Sequence, residues 1–193
     1  MSIPWSASQR YRLAPAPGGL ALVQDFLNTV SIGDYGPDLL GGTESACTWA
    51  AAAAPAWLAE RGIDATSPQL SDADVAELRG LRDAIARLVN GDSARWDVGP
   101  VSATFAVSER GEVHLEPVGT GWRWYASALW TEILLSQLAG SWRRIKQCRN
   151  PHCTSTFYDR SKNNSGVWHD VKTCGNAANL RASRARRKQA QAG

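Results

Sequence analysis

The sequence lacks any apolar run that approaches the roughly 18 residues needed to cross a bilayer as a helix. It also lacks a basic N-terminal stretch followed by an apolar core, the pattern of a secretory signal peptide. No nucleophile–base set, phosphate-binding glycine loop or pair of carboxylates is evident. These absences predict a cytoplasmic protein that does not enter the membrane, and they argue against an enzyme.

Cysteine is scarce and unevenly placed, since three of the four cysteines lie in the last 46 residues. Cys148 and Cys153 form a C-x4-C pair, and His169 and Cys174 form an H-x4-C pair fifteen residues later. Thiolates and an imidazole in two short pairs are the ligands of a tetrahedral zinc site. In a cytoplasmic protein, clustered cysteines favour a metal over a disulfide. Cys47 stands alone and is expected to be a small buried apolar residue.

This ligand set predicts one structural Zn²⁺, because four protein ligands leave no open coordination position for catalysis. His152 is the alternative fourth ligand, but it adjoins Cys153, and adjacent side chains rarely reach one ion. Asp170 is a candidate hydrogen-bond acceptor for the imidazole of His169. The surrounding segment has few apolar residues, so we expect metal binding to drive its folding.

The charge of the chain is divided between two parts of opposite sign. Residues 143–193 carry twelve Lys and Arg against two acids, a net charge of +10, whereas residues 1–142 carry nine against sixteen, a net charge of −7. A basic segment of this density is typical of proteins that bind polyanions, nucleic acid above all. The alternative is a solvated basic tail.

The basic residues follow and separate the ligand pairs. Asn176 is expected to cap a helix over about 177–190. Cationic side chains recur on one face of this helix without alternating acids. Such a face is suited to binding phosphates and base edges. A polar cationic loop between the pairs is expected to add backbone contacts. The candidate nucleic-acid contacts are Arg160, Lys162 and Asn163 in the loop and Arg181, Arg184, Arg187 and Lys188 on the helix.

The upstream part is predicted to be α+β and mainly helical. Residues 1–18 contain three prolines and are expected to form a loose arm, and residues 19–30 form either a strand leading into a helix or one buried helix. Trp49, Ala53 and Trp57 suit a helix face that Pro55 should break or kink, with Gly62 at its end.

Later elements have clearer patterns. Ser71 should cap a helix over 71–90, with Asp74 three residues on and an apolar stripe at helical spacing. Alternation over 101–108 and again from Val113 predicts a β-hairpin. A helix around 123–141 is expected to bury Ala126, Trp130, Ile133, Leu134 and Leu138, and residues 143–147 form a short strand before the first ligand.

Three polar residues interrupt the apolar segment after Gly19. Asp25, Asn28 and Thr29 are candidates for lining a small-molecule pocket. The more common role of such residues is local capping and hydrogen bonding within the core. Both interpretations stay open at the level of sequence.

The segment CRNPHCTSTFYDRSKNNSGVWHDVKTCGNAANLRASRARRK resembles the CGNR-type zinc finger of bacterial transcription regulators. The matching features are C-x4-C, F-x-D-x-S, a tryptophan before the third ligand, C-G-N and the trailing arginine helix. The upstream segment from LALVQDFLNTV to LRGLRDAIARLV is similar to the ABATE domain that accompanies this finger. Together the two resemblances cover about residues 19–188.

The chain departs from the family pattern at four positions. His169 stands where the family has cysteine, which implies a three-cysteine, one-histidine zinc site. Ala177 replaces the arginine of the CGNR motif, and Gly166 and Val167 replace an arginine pair before the tryptophan. Three cationic positions are therefore missing, which bears on whether this finger binds DNA.

The resemblance implies an ABATE-like domain over 19–142, for ligand sensing or dimerisation, and a finger over 143–193. The principal hypothesis is a zinc-dependent regulator that contacts double-stranded DNA, with a small-molecule effector and a homodimer as further expectations. The alternatives are an RNA- or ribosome-associated finger protein, and a small-molecule-binding protein in which the finger is only structural.

Overall fold

The computed structural model describes residues 4–32, 36–92 and 99–191, with the backbone alone for 188–191. It is α+β, with a mainly helical N-terminal region, two small antiparallel hairpins and a C-terminal finger that ends in a helix. The elements in chain order are α1 (Ser6–Gln9), α2 (Leu20–Leu27), α3 (Thr43–Arg61), α4 (Asp72–Val89), β1 (Ala103–Val107), β2 (Val113–Pro117), α5 (Trp122–Leu138), a 3₁₀ turn (Trp142–Arg144), β3 (Ile145–Gln147), β4 (Thr156–Tyr158), a π-helical turn (Val171–Gly175) and α6 (Asn176–Gln191). In the described part of the chain, no helix is both long and apolar enough to span a membrane.

Helix α2 is the centre of the N-terminal region. All eight of its residues are buried: six are apolar, and the other two are the polar residues Gln24 and Asp25. The helix is packed against α1, α3, α4 and α5. Of the two alternatives for this segment, the structure therefore selects the single buried helix.

Helix α4 confirms the sequence prediction closely. Ser71 and Asp74 form a reciprocal capping box that satisfies backbone N–H groups at the helix start. Val75, Leu78 and Ile85 are buried against the core. Glu77 and Arg79 face solvent, whereas Arg82 is buried and pairs with Asp38. An amphipathic stripe with a strong cap is enough to define such a helix from local sequence.

Of the break or kink expected at Pro55, the break does not occur, because α3 continues through the proline from Thr43 to Arg61. Ala53, Ala54 and Trp57 are buried on either side of it, and this packing outweighs one missing backbone hydrogen bond. The predicted end is confirmed. Gly62 adopts φ 65°, a left-handed conformation that favours glycine.

Helix α5 forms as predicted, but its buried face is different. Ala126 and Ile133 are buried, whereas Leu134 and Leu138 are exposed, and Trp130 is only half-buried. The buried face is instead centred on Trp124 and Tyr125. The ring of Trp124 contacts Trp57, and the ring of Tyr125 contacts Trp49. Aromatic contacts from α3 therefore set the rotation of α5, and its own periodicity does not reveal them.

The loose arm expected over residues 1–18 is also wrong for the described residues 4–18. Ala7, Ser8 and Tyr11 are buried, and the Ser8 N–H donates to Oδ1 of Asp25 at 2.7 Å. Asp25 also accepts from the indole N–H of Trp49 at 2.9 Å. A carboxylate in the core thus fixes the N-terminal segment against α2 and α3, although the prolines suggested a flexible chain.

The two hairpins have simple registers. In the first, which was predicted, Phe105 lies opposite Leu115 and Val107 opposite Val113. In the second, Ile145 pairs with Tyr158. The strand predicted over residues 143–147 is therefore confirmed for residues 145–147 only. This second hairpin carries the first pair of proposed metal ligands, Cys148 and Cys153.

Candidate metal centre and nucleic-acid interface

The first ligand pair lies in the connection between β3 and β4. Cys148 follows the last residue of β3, and its N–H donates to the carbonyl of Ser155 at 2.9 Å. The N–H of Cys153 donates to the carbonyl of Asn150 at 2.8 Å, which closes the turn around Pro151. Strand pairing and this turn bring the two thiols to the same side of the hairpin.

The second ligand pair lies at the start of the basic helix. Cys174 is within the π-helical turn, and its N–H donates to the carbonyl of Asp170 at 3.0 Å. The Asp170 carboxylate accepts from the N–H of Thr173, so it caps this turn and no hydrogen bond joins it to His169. Asn176 begins α6 and is not its cap, because the helix continues directly from the turn.

The four proposed ligands converge on one point. Sγ of Cys148, Cys153 and Cys174 and a ring nitrogen of His169 lie within 4.8 Å of one another. Cys153 Sγ is 3.4 Å from Nδ1 of His169. Tetrahedral zinc with bonds of about 2.0–2.3 Å separates neighbouring ligand atoms by about 3.5–3.8 Å. The donor set therefore fits one structural Zn²⁺, and the exposed His152 is not part of it.

Burial of the ligand thiols makes zinc binding depend on pH. Cys148 and Cys174 are buried beside Phe157, with Leu13 and Trp168 packed against them. This apolar environment raises the pKa of the metal-free Cys148 thiol to about 12, with the neighbouring Cys153 adding to the shift. Zinc must therefore displace a thiol proton, so its affinity should increase with pH.

Asn150 connects the metal centre to the basic helix. It is buried, and its amide Nδ2 donates to Sγ of Cys174 at 3.1 Å. Its Oδ1 accepts from the guanidinium of Arg181 and from the N–H of His152. One side chain thus stabilises a ligand sulfur and holds the first turns of α6 against the finger.

We expect Asn150→Ala to weaken zinc binding by about 10- to 100-fold, the usual effect of losing a hydrogen bond to a metal ligand. The affinity is measured by competition with a chromophoric chelator. His152→Ala is the matched control, since that neighbour is exposed and lies outside the ligand cluster. Equal affinities for Asn150→Ala and the unchanged protein would contradict this role for Asn150.

The loop between the ligand pairs is built around Asp159. Burial opposes ionisation of its carboxyl, but hydrogen bonds from Lys146, Ser161 and Gly166 outweigh burial and hold its pKa well below the usual range. A Cβ added at Gly166 would lie 2.8 Å from Oδ1 of Asp159. Any side chain at position 166 would therefore have to displace the Asp159 carboxylate.

The side chains of the candidate nucleic-acid contacts are mostly exposed, but some of them are already bound to other residues of the protein. Lys162, Asn163, Arg184 and Arg187 are exposed, and no ion pair holds Arg184 or Arg187 within the described part of the chain. Arg160 instead donates to the carbonyl of Pro15 at 2.6 Å and lies over the ring of Tyr158. Arg181 is engaged by Asn150, and the side chain of Lys188 lies outside the described residues.

The candidate pocket residues are fully occupied by internal contacts. Asp25, Asn28 and Thr29 are completely buried. Asn28 both donates to the carbonyl and accepts from the N–H of Thr156, each at 2.8 Å. Thr29 donates to the carbonyl of Phe26 and accepts from Arg82. These residues join the end of α2 to neighbouring elements, and their place in a ligand pocket stays a prediction.

Sequence reasoning missed the contribution of the N-terminal segment to the finger. Tyr11 packs edge-on against the ring of His169 and hydrogen-bonds to Thr154 at 2.9 Å, while Leu13 joins the apolar cluster around the ligands. A cavity of about 320 Å³ lies along this seam. No local pattern in residues 8–16 indicates that they complete a site about 140 residues away.

The fold and the site define a helical α+β domain joined to a zinc finger. Residues 20–142 match the ABATE family, which is described as a putative stress-induced transcription regulator. Residues 144–187 match the CGNR zinc finger family. The chain therefore belongs to the ABATE family and carries a CGNR zinc finger, as the sequence resemblance indicated. No curated protein matches it.

Proposed function

We propose that this protein is a transcription regulator whose zinc-organised finger binds double-stranded DNA through α6 and the loop before it. The observation that carries the proposal is a row of exposed arginines on a helix that begins at the metal centre. The finger has a net charge of +10, and its charge is set apart from an acidic N-terminal region. Phosphates are the natural counterions for such a surface.

The missing arginines confine the proposed contacts to fewer positions. Gly166 packs against Asp159, and Ala177 is the second residue of α6. Neither residue carries a charge, so neither contributes to phosphate binding. The proposed interface therefore consists of exposed side chains that make no ion pair with the described residues. Its central members are Lys162, Asn163, Arg184 and Arg187, with Arg186 beside them.

The duplex preference is tested by titrating zinc-loaded protein with duplex DNA and with structured RNA at one salt concentration. We expect tighter binding to the duplex. Tyr158, the aromatic residue considered for base stacking, is half-buried against the core and covered by Arg160, which supports DNA over RNA. Tighter binding to the structured RNA would contradict the duplex preference and would identify RNA as the partner of the finger.

We expect Arg184→Ala to weaken duplex binding several-fold and to lower the slope of log affinity against log salt by about one. The reason is the loss of about one phosphate contact. Fluorescence anisotropy at several salt concentrations measures both quantities. Arg110→Ala, an exposed arginine in the hairpin turn far from the finger in sequence, is the control. If the two variants behave alike, α6 does not face the DNA.

A role for the N-terminal region as a sensor is supported by its contacts with the finger. Asn28, Tyr11 and Leu13 all touch finger residues, so a change in this region reaches the metal centre by direct packing. The effector would be recognised as a compound that alters DNA affinity without binding the isolated duplex. Screening small molecules for this effect tests the sensor role separately from DNA binding.

A further inference from the structure

One face of the hairpin β1–β2 is apolar along its full length. Ala103, Phe105 and Val107 share this face with their partners Pro117, Leu115 and Val113, whereas Thr104, His114 and Glu116 lie on the other face. The apolar face would normally be buried. Here Phe105 is 75% exposed, Val107 67% and Val113 65%.

The exposed apolar surface continues onto α5. Phe105, Val113 and Leu115 line a groove of about 320 Å³ together with Ile63 and Leu135. Leu138 lies one turn beyond Leu135 and is 78% exposed. We define the apolar face by its most exposed side chains: Phe105, Val107, Val113, Leu134, Leu135 and Leu138.

The size of this surface exceeds what scattered apolar residues explain. The six side chains present on the order of 500 Å² of apolar area, close to the largest patches found on monomeric proteins, which often mark an interaction site. A standard interface buries about 800 Å² per partner, with an apolar centre and a polar rim. The apolar face therefore has the extent needed for the centre of a dimer interface.

The charges around the face fit a second copy better than a lipid surface or a charged partner. The groove contains one described cation, Arg61, and it is bound to the buried Glu132. The turn at the end of the hairpin carries both signs, with Glu109, Arg110 and Glu112. A neutral apolar centre with a mixed rim is self-complementary, and the acidic N-terminal region disfavours anionic lipid.

The hairpin β1–β2 would also be stabilised by a second copy that covers its apolar face. In the described part of the chain it has two strands, and a two-stranded hairpin is marginally stable unless its apolar face is packed. We propose that this protein forms a symmetric homodimer through the apolar face, with β1–β2 and the end of α5 of each copy covering those of the other. This proposal does not depend on nucleic-acid binding.

The test is sedimentation velocity of the full-length, zinc-loaded protein over a wide concentration range. We expect a dimer that Phe105→Lys weakens by roughly thirtyfold or more, as for a residue at the centre of an interface. Thr104→Lys is the matched control, because it places the same charge on the opposite face of the same strand, beside Glu116. It should remain dimeric.

Leu138→Lys provides a second, independent disruption, since an exposed position near the end of a helix tolerates lysine without unfolding. Far-UV circular dichroism and zinc content should be unchanged in all three variants. A monomer at every concentration would overturn the proposal, and flotation of that monomer with neutral vesicles would identify the face as a membrane contact. A dimer that persists in both Phe105→Lys and Leu138→Lys would also overturn it.

Discussion

Cys174→Ser is expected to release zinc and to unfold the finger while leaving the N-terminal domain folded. Cys174 is a buried ligand, it accepts from Asn150, and it lies in the turn that leads into α6. Zinc binding to small fingers supplies on the order of 10 kcal/mol of folding free energy. Without that energy, the apolar cluster around Phe157 is too small to hold the loop and α6.

Zinc content by elemental analysis and hydrogen exchange across residues 145–187 measure the effect. Amides in β3, β4 and α6 should lose protection, while those in α2 and α4 should keep it. Cys47→Ser is the control, since that thiol lies outside the ligand cluster, packed near Leu70. Stoichiometric zinc bound to Cys174→Ser with unchanged affinity would contradict the assignment of the site.

Asn28→Ala is expected to lower the free energy of unfolding by about 3–5 kcal/mol, because it leaves the N–H and the carbonyl of Thr156 buried without partners. The cost of each lost contact is increased because the site is fully shielded from water. Denaturant unfolding followed by tryptophan fluorescence gives the free energy. We also expect the amides of β4 to exchange faster in Asn28→Ala than in the unchanged protein, since Asn28 joins the domain to the finger through β4.

Asn163→Ala is the matched control, because Asn163 is exposed in the finger loop and should change stability by no more than about 0.5 kcal/mol. Asn28→Asp should fall between the two, since it keeps an acceptor for the Thr156 N–H and loses the donor to the Thr156 carbonyl. If Asn28→Ala leaves stability unchanged but alters binding of a small molecule, the pocket interpretation of this residue would be restored.

The metal site could be predicted from sequence because its information is local. Each ligand pair is separated by four residues, and the residue types and spacing favour zinc and favour His169 over His152 as the fourth ligand. Helix α4 is similar, since Ser71, Asp74 and the apolar stripe all lie within one element. Both predictions needed only short-range patterns, and the structure confirms both.

The contacts that join the two parts could not be predicted in this way. Tyr11 bonds to Thr154 across 143 residues, and Asn28 bonds to Thr156 across 128. No periodicity indicates such pairs, so the sequence alone predicts a loose N-terminal segment and leaves Asn28 as a pocket candidate. The predicted buried face of α5 is wrong for the same reason, because Trp49 and Trp57 of α3 determine which of its faces is covered.

The most direct test of the account is the affinity of the full-length protein for duplex DNA, measured with zinc bound and after removal of zinc by a chelator. The account predicts binding that weakens steeply with salt when zinc is present. It predicts loss of binding without zinc and recovery when zinc is restored. Binding of equal strength in the chelated protein would contradict it, because the basic helix would then act without the metal centre that positions it.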